Sequence, residues 1–203
     1  VLWREVLERE PLAMDAQQEF AQFLAETQGR KAAIKHLEEA CTANPNHFEL
    51  HLLLYRHLAD SAPHAARPVL QRLLELNPTD ISLRCAWARC LVEIGRREDG
   101  LREAEQIEQL DPRNPASHSL RGAIYQVEGK HEEAQAAFRK AIGLSAEYDY
   151  NTISGLIRSC RTVMERRLAL NFLQAELSRH LIFGDGLLAF RELAARYLDP
   201  PEV

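Results

Sequence analysis

The chain has no apolar run approaching the ~20 residues a membrane-spanning helix requires, so a spanning segment is not expected. No secretory leader is visible, but the first residue is Val1 rather than methionine, and the start is read as trimmed, with room for a removed targeting segment. Cysteine is sparse. Cys41, Cys85, Cys90 and Cys160 form no CxxC pair and no close cluster, which excludes a zinc motif or a disulfide framework by spacing. Buried, reduced thiols are expected instead, and with them a cytoplasmic setting. A basic excess is also missing: the net charge of −5 gives no electrostatic reason to expect nucleic acid or an anionic membrane as partner.

Catalytic signatures are absent too. No phosphate-loop or dinucleotide spacing, no Gly-x-Ser-x-Gly elbow and no recognisable Cys–His pair occurs, so no catalytic residue and no cofactor is expected. His47 and His51 stand four apart, with His57 beyond them, and two imidazoles at that spacing share a helix face. Position 48 is Phe, so the metalloprotease pattern is not completed and no metal site is expected. Gly184-Asp185-Gly186 is the one glycine cluster, and after a helical pattern it reads as a turn between helices.

What is present is rhythm. Pro11, Pro45, Pro78 and Pro112 follow Glu10, Asn44, Asn77 and Asp111 at steps of 34, 33 and 34 residues. A stride of that length marks a helical repeat array. Between the prolines, apolar residues recur at three and four positions, as in Ala116 to Val127 and Glu132 to Leu144, with Glu128-Gly129-Lys130 between them. These segments are amphipathic helices. Proline lacks an N–H and disfavours helical geometry at the residue before it, so each one closes a two-helix unit.

The residues within the stride resemble the tetratricopeptide repeat. Residues 115–148 carry Gly122, Tyr125, Gly129, Ala134, Phe138 and Ala141 at the family's slots, with His118 and Arg121 where a bulky residue and Leu are usual. Residues 81–114 supply Trp87, Ala88, Leu91, Gly95, Ala104, Ile107 and Pro112; residues 47–80 supply Leu50, Leu53, Ala66, Leu70, Leu73 and Pro78, with Leu54 and His57 as departures. Residues 14–46 supply Phe20, Ala21, Leu24, Ala33, Leu37, Ala40 and Pro45. Residues 1–13 read as the second helix of a truncated unit, and 149–203 as divergent C-terminal helices that cap the array or interact. The resemblance implies an all-α, right-handed superhelical solenoid of antiparallel hairpins. Helices are expected over Tyr150 to Thr162, Glu165 to Phe183 and Leu187 to Leu198.

By the same resemblance the chain is a non-enzymatic scaffold whose first helices line a concave groove for a peptide or protein partner. The inward slots hold Gln18, Gln22, His51, Tyr55, Cys85, Arg89, Ser119 and Gln126, side chains suited to hydrogen bonding. The Lys, Arg and Asn set with which some family members clamp acidic chaperone tails is not expected here, because those slots hold Gln18, Gln22, Leu52, Ser82 and Ala86. An alternative is a substrate-recruiting or dimerising arm of a larger enzyme. The C-terminal segment offers a basic helix, Arg166 and Arg167 included, and an apolar set of Leu187, Leu188, Phe190 and Leu193 for homodimerisation.

Overall fold

Each proline of the stride lies in a turn that follows a helix, and at three of them the residue before it leaves helical geometry as the ring demands. Asn44 has φ −132° and ψ 67°, Asn77 −137° and 82°, and Asp111 −146° and 96°. The computed structural model describes residues 2–59, 61–144, 150–179 and 185–197, with the backbone alone at 2, 178, 185–187 and 189. Twelve helices and no strand occur among the described residues. They are α1 (Leu2–Arg9), α2 (Met14–Thr27), α3 (Arg30–Ala43), α4 (Phe48–Ala59), α5 (Pro63–Leu76), α6 (Ile81–Glu93), α7 (Arg97–Leu110), α8 (Pro115–Val127), α9 (His131–Leu144), α10 (Tyr150–Ser159), α11 (Val163–Arg179) and α12 (Asp185–Tyr197). The architecture is an all-α solenoid of helix hairpins.

The hairpin turns repeat one device. After α6, Arg96 N–H donates to Leu91 O at 2.8 Å while Gly95 sits at φ 82°; after α8, Lys130 N–H donates to Tyr125 O at 2.9 Å while Gly129 sits at φ 73°. A backbone folded back over the last helical carbonyls needs a left-handed residue, and glycine takes it without a Cβ clash. Helix starts are capped locally. Asn114 Oδ1 accepts from Ala116 N–H at 3.0 Å, with Pro115 as the first helical residue, and Asp80 Oδ1 accepts from Leu83 N–H at 3.1 Å.

The chain divides into two compact units, Val1–Trp87 and Ala88–Val203. In the first, α2 packs on both α3 and α4. Its core joins Phe20, Ala21 and Leu24 to Leu37 and Cys41 of α3 and to Leu50, Leu54 and Leu58 of α4. The buried Gln17 is satisfied there: its Nε2 donates to Pro11 O at 2.7 Å, and its Oε1 lies 2.7 Å from His36 Nε2. In the second unit α8 packs on α9 and on α10, and the Phe138 ring fills a notch between them. A Cβ on Gly122 would lie 2.7 Å from Phe138 Cδ1, and one on Gly155 would lie 2.5 Å from Cζ of the same ring. The two glycines are the space the ring occupies.

The C-terminal segment differs from its sequence reading in three places. First, α10 ends at Ser159 and α11 begins at Val163, because Thr162 and Glu165 form a capping box: Thr162 Oγ1 accepts from Glu165 N–H at 3.1 Å, and Glu165 Oε2 accepts from Thr162 N–H at 3.3 Å. Glu165 Oε2 also accepts from Arg161 N–H at 2.6 Å, and these bonds hold its carboxyl below the usual range. Second, Asp185 and Gly186 belong to α12 rather than to a turn; Gly184 lies outside the described residues. Third, the apolar set does not form an open patch. Leu193 is 4% exposed and Phe190 packs on the core with Leu170 and Leu173, leaving Leu188 outward at 61%; the Leu187 side chain lies outside the described set. The period of α12 turns Leu193 and Phe190 inward together.

One buried polar group stands out. His118 is 2% exposed, and its Nε2 has no hydrogen-bond partner among the described residues. The nearest carboxylate oxygen, Glu108 Oε1 of α7, is 3.7 Å away, and Glu108 is also held by Arg121 at 2.7 Å and Lys140 at 3.8 Å. Burial chiefly, then the charge of Lys140, lowers the imidazole pKa below 6.5, against the pull of Glu108.

Two tests follow from these contacts. Gly155→Ala is expected to lower stability by about 1–3 kcal/mol, because overpacking outweighs the ~1 kcal/mol helix-propensity gain; urea unfolding measures it, and Phe138→Leu in that background should recover part of the loss. His118→Leu is expected to raise the melting midpoint by removing an unpaired buried nitrogen worth about 1–3 kcal/mol. The sign with pH is fixed: the folded chain holds His118 neutral while the unfolded chain protonates it near 6.5, so its contribution is present above that pH and lost below it. The variant should therefore lose less stability on acidification, and equal pH slopes for both proteins would refute the assignment.

Candidate functional site

The core takes one face of α2 through Gln17, Phe20, Ala21 and Leu24, which leaves Gln18 and Gln22 exposed one turn apart. They line an open depression of about 310 Å³ together with Arg30 at the start of α3 and Leu53, Arg56 and His57 of α4. Gln22 Nε2 donates to Glu26 Oε1 at 2.6 Å. Arg30 and Arg56 are exposed, and among the described residues neither has a carboxylate within ion-pair distance. His57 is half-buried. Its pKa is lowered by burial first and by the charge of Arg30 second. Chemically the depression offers two guanidiniums, an imidazole held largely neutral near pH 7 and two amides around an apolar floor.

His51 lies elsewhere. It is 7% exposed and lines a separate depression with Glu38, Cys41, Thr42, Val69 and Arg72. Its Nδ1 donates to His47 O at 2.9 Å, while His47 Nδ1 accepts from Leu50 N–H at 3.3 Å. The histidine pair thus serves the first turn of α4, and among the described residues no group of three His, Cys, Asp or Glu side chains is placed to hold a metal. Burial, with help from Glu38, pushes the Cys41 thiol up to about 11; burial likewise raises Cys160 to about 11. Both are protonated core residues at neutral pH. Tyr55 is half-buried against the first unit's core. On α6, Cys85 is half-buried and Arg89 is exposed one turn later.

Ser119 and Gln126 are engaged by α10. Ser119 Oγ lies 2.7 Å from Thr152 Oγ1, and Gln126 Nε2 donates to Gly155 O and Ser159 Oγ, each at 3.2 Å. Gln135 Nε2 adds a bond to Ser159 O at 3.2 Å. These side chains join helices rather than face solvent. At the C-terminal end, the Arg166 guanidinium lies 5.1 Å from the centre of the Tyr197 ring, and Arg167 is exposed. Arg30, Arg56 and His57 were not expected at the site. The signal was the departure at His57, where a cationic-capable ring replaces the usual aromatic, with an arginine beside it.

Comparison with known proteins bears on the fold. Two tetratricopeptide-repeat family models match, over residues 57–124 and 116–148. No curated protein sequence matches significantly. Among solved structures, the MamA protein is similar with a TM-score of 0.62 at 17% identity, covering 92% of this chain and 98% of that one. TTC0263, a thermophilic tetratricopeptide-repeat protein of Thermus thermophilus, gives 0.59 at 19% identity, with coverage of 90% and 100%. PilW, a type IV pilus biogenesis factor, gives 0.59 at 14% identity, with coverage of 91% and 86%. At these identities the likeness concerns the fold. With its proline-closed hairpins and glycine turns, the chain carries tetratricopeptide repeats over residues 57–148, the span that the two family models match.

Proposed function

We propose that the chain is a non-enzymatic scaffold that holds a partner protein on its first-helix faces, with Gln18, Gln22 and Tyr55 as contacts of the first unit and Arg89 as a contact of the second. The observation that carries this reading is the depression beside α2, where two exposed amides stand over the apolar surface of Leu53. A primary amide both donates and accepts, so it pairs with a peptide backbone whatever the partner's side chains. The half-buried Tyr55 supplies the rigid aromatic area that concentrates binding energy at interfaces, and Arg89 an exposed fork of donors. Ser119 and Gln126 contribute by fixing α8 against α10. Among the described residues no helix is long and apolar enough to cross a membrane.

The test is capture of a partner by the intact chain and by a Tyr55→Ala, Arg89→Ala variant. The variant is expected to bind about tenfold or more weakly, since truncating two interface anchors commonly costs that much. Helical content should be retained, since Arg89 is exposed, while the melting midpoint falls modestly because Tyr55 packs against its core; binding is therefore compared well below both midpoints. Equal binding by the variant would remove the reading.

A further inference from the structure

We propose that the depression lined by Gln18, Gln22, Arg30, Leu53, Arg56 and His57 recognises the carboxylate of an acidic residue in a bound peptide. The inference rests on the reading of the first-helix face as the ligand-bearing surface. It uses none of the slots of the acidic-tail clamp except the two glutamines; its charge comes from the start of α3 and the outer turn of α4.

Charge complementarity is the first argument. Several arginines elsewhere are matched by carboxylates: Arg72 bonds Glu75, and also Asn46, at 2.7 Å each, Arg96 and Arg102 both bond Asp99, Arg121 bonds Glu108, and Arg179 bonds Glu176. Arg30 and Arg56 converge on one depression and, among the described residues, have no such carboxylate. Burial first, and the charge of Arg30 second, lower the pKa of His57 beside them. The planar guanidinium fork matches the two oxygens of a carboxylate, and charge-assisted bonds of this kind are stronger than neutral ones.

Donor geometry is the second argument. Gln22 already donates to a carboxylate, that of Glu26 on its own helix, so its amide is disposed toward such an oxygen. The α3 N-terminus, headed by Gly29 without a side-chain cap, adds the positive end of a helix beside Arg30. The Glu26 carboxylate, bonded to Gln22, offsets one of the two fixed cationic charges. With His57 neutral, the remaining charge matches a monoanionic carboxylate better than a dianionic phosphate.

The experiment is an NMR titration of the full chain with acetylated, amidated hexaglutamate, with hexaglutamine and a phosphoserine hexapeptide alongside. Hexaglutamate, unlike hexaglutamine, should shift the side-chain amides of Gln18 and Gln22 and the Nε–H of Arg30 and Arg56. Affinity should fall about tenfold or more in the Arg30→Gln, Arg56→Gln variant, and fall with salt as exposed charges are screened. Both arginines are exposed, so the variant should fold, which circular dichroism checks; Arg56→Lys, which keeps charge and loses the fork, should bind with intermediate strength. Unchanged binding in the glutamine variant, or absent shifts, would overturn the site, and clearly tighter binding of the phosphoserine peptide would overturn the carboxylate assignment. The two readings fail separately. Hexaglutamate indifferent to the arginines while Tyr55→Ala, Arg89→Ala weakens partner capture removes only the carboxylate site, and the converse removes only the wider contact surface.

Discussion

A single two-helix hairpin cannot hide its apolar face, so everything in this chain depends on how closely one hairpin can approach the next. Small residues set that distance. Ala21, Ala33, Ala88, Ala104 and Ala134 are fully buried at the helix contacts, and Gly122 and Gly155 go further by making room for the whole Phe138 ring. Where two backbones come this near, large side chains beside them interdigitate and water is excluded. The residues that decide the fold are therefore those with little or no side chain, while the large apolar groups fill the space thereby defined.

Much of this was legible in the sequence because it is local. Proline after Asn44, Asn77 and Asp111 acts on the φ and ψ of the preceding residue alone, so a stride in sequence becomes a stride in structure without help from tertiary packing. The same holds for the glycine turns and for helix α8, which starts one residue before the expected Ala116 because Pro115 suits the first helical position. Where the reading failed, a local signal had been weighed against the wrong competitor. Glycines flanking Asp185 suggested a turn, yet an apolar period beginning at Leu187 carries α12 back through Gly186 and Asp185. Thr162 and Glu165 stand three apart just before an apolar run, the mark of a capping box, and the box sets the start of α11 at Val163, between them.

The site was less legible, for a reason that is physical. A repeat slot specifies where on a helix a side chain stands, but not what the neighbouring helix brings to it. His51 and Gln18 occupy corresponding slots, yet His51 bonds the His47 carbonyl and borders α3 and α5, while Gln18 remains at the surface. Arg30 and Arg56 belong to different helices and have no common motif; only the packing of α2, α3 and α4 brings them to one depression.

The junctions between successive first helices show how one architecture yields both a closed seam and an open one. In the second unit, α10 presents Thr152, Gly155 and Ser159 to α8, groups small enough for Ser119 and Gln126 to reach across and bond. In that seam these side chains bond to one another across the two helices. In the first unit the corresponding surface of α4 carries Leu53, the cationic Arg56 and a neutral His57, which are too large to close against Gln18 and Gln22. Like charge on Arg30 and Arg56 opposes tighter packing, and the hydration that both guanidiniums retain offsets any gain from burying Leu53 further. A depression results, held open by the same groups that give it a chemical character. Replacing these bulky α4 residues by small polar ones would remove the cavity and the Arg56 charge together, so the anion recognition proposed for this junction and the separation of its two helices would have one cause.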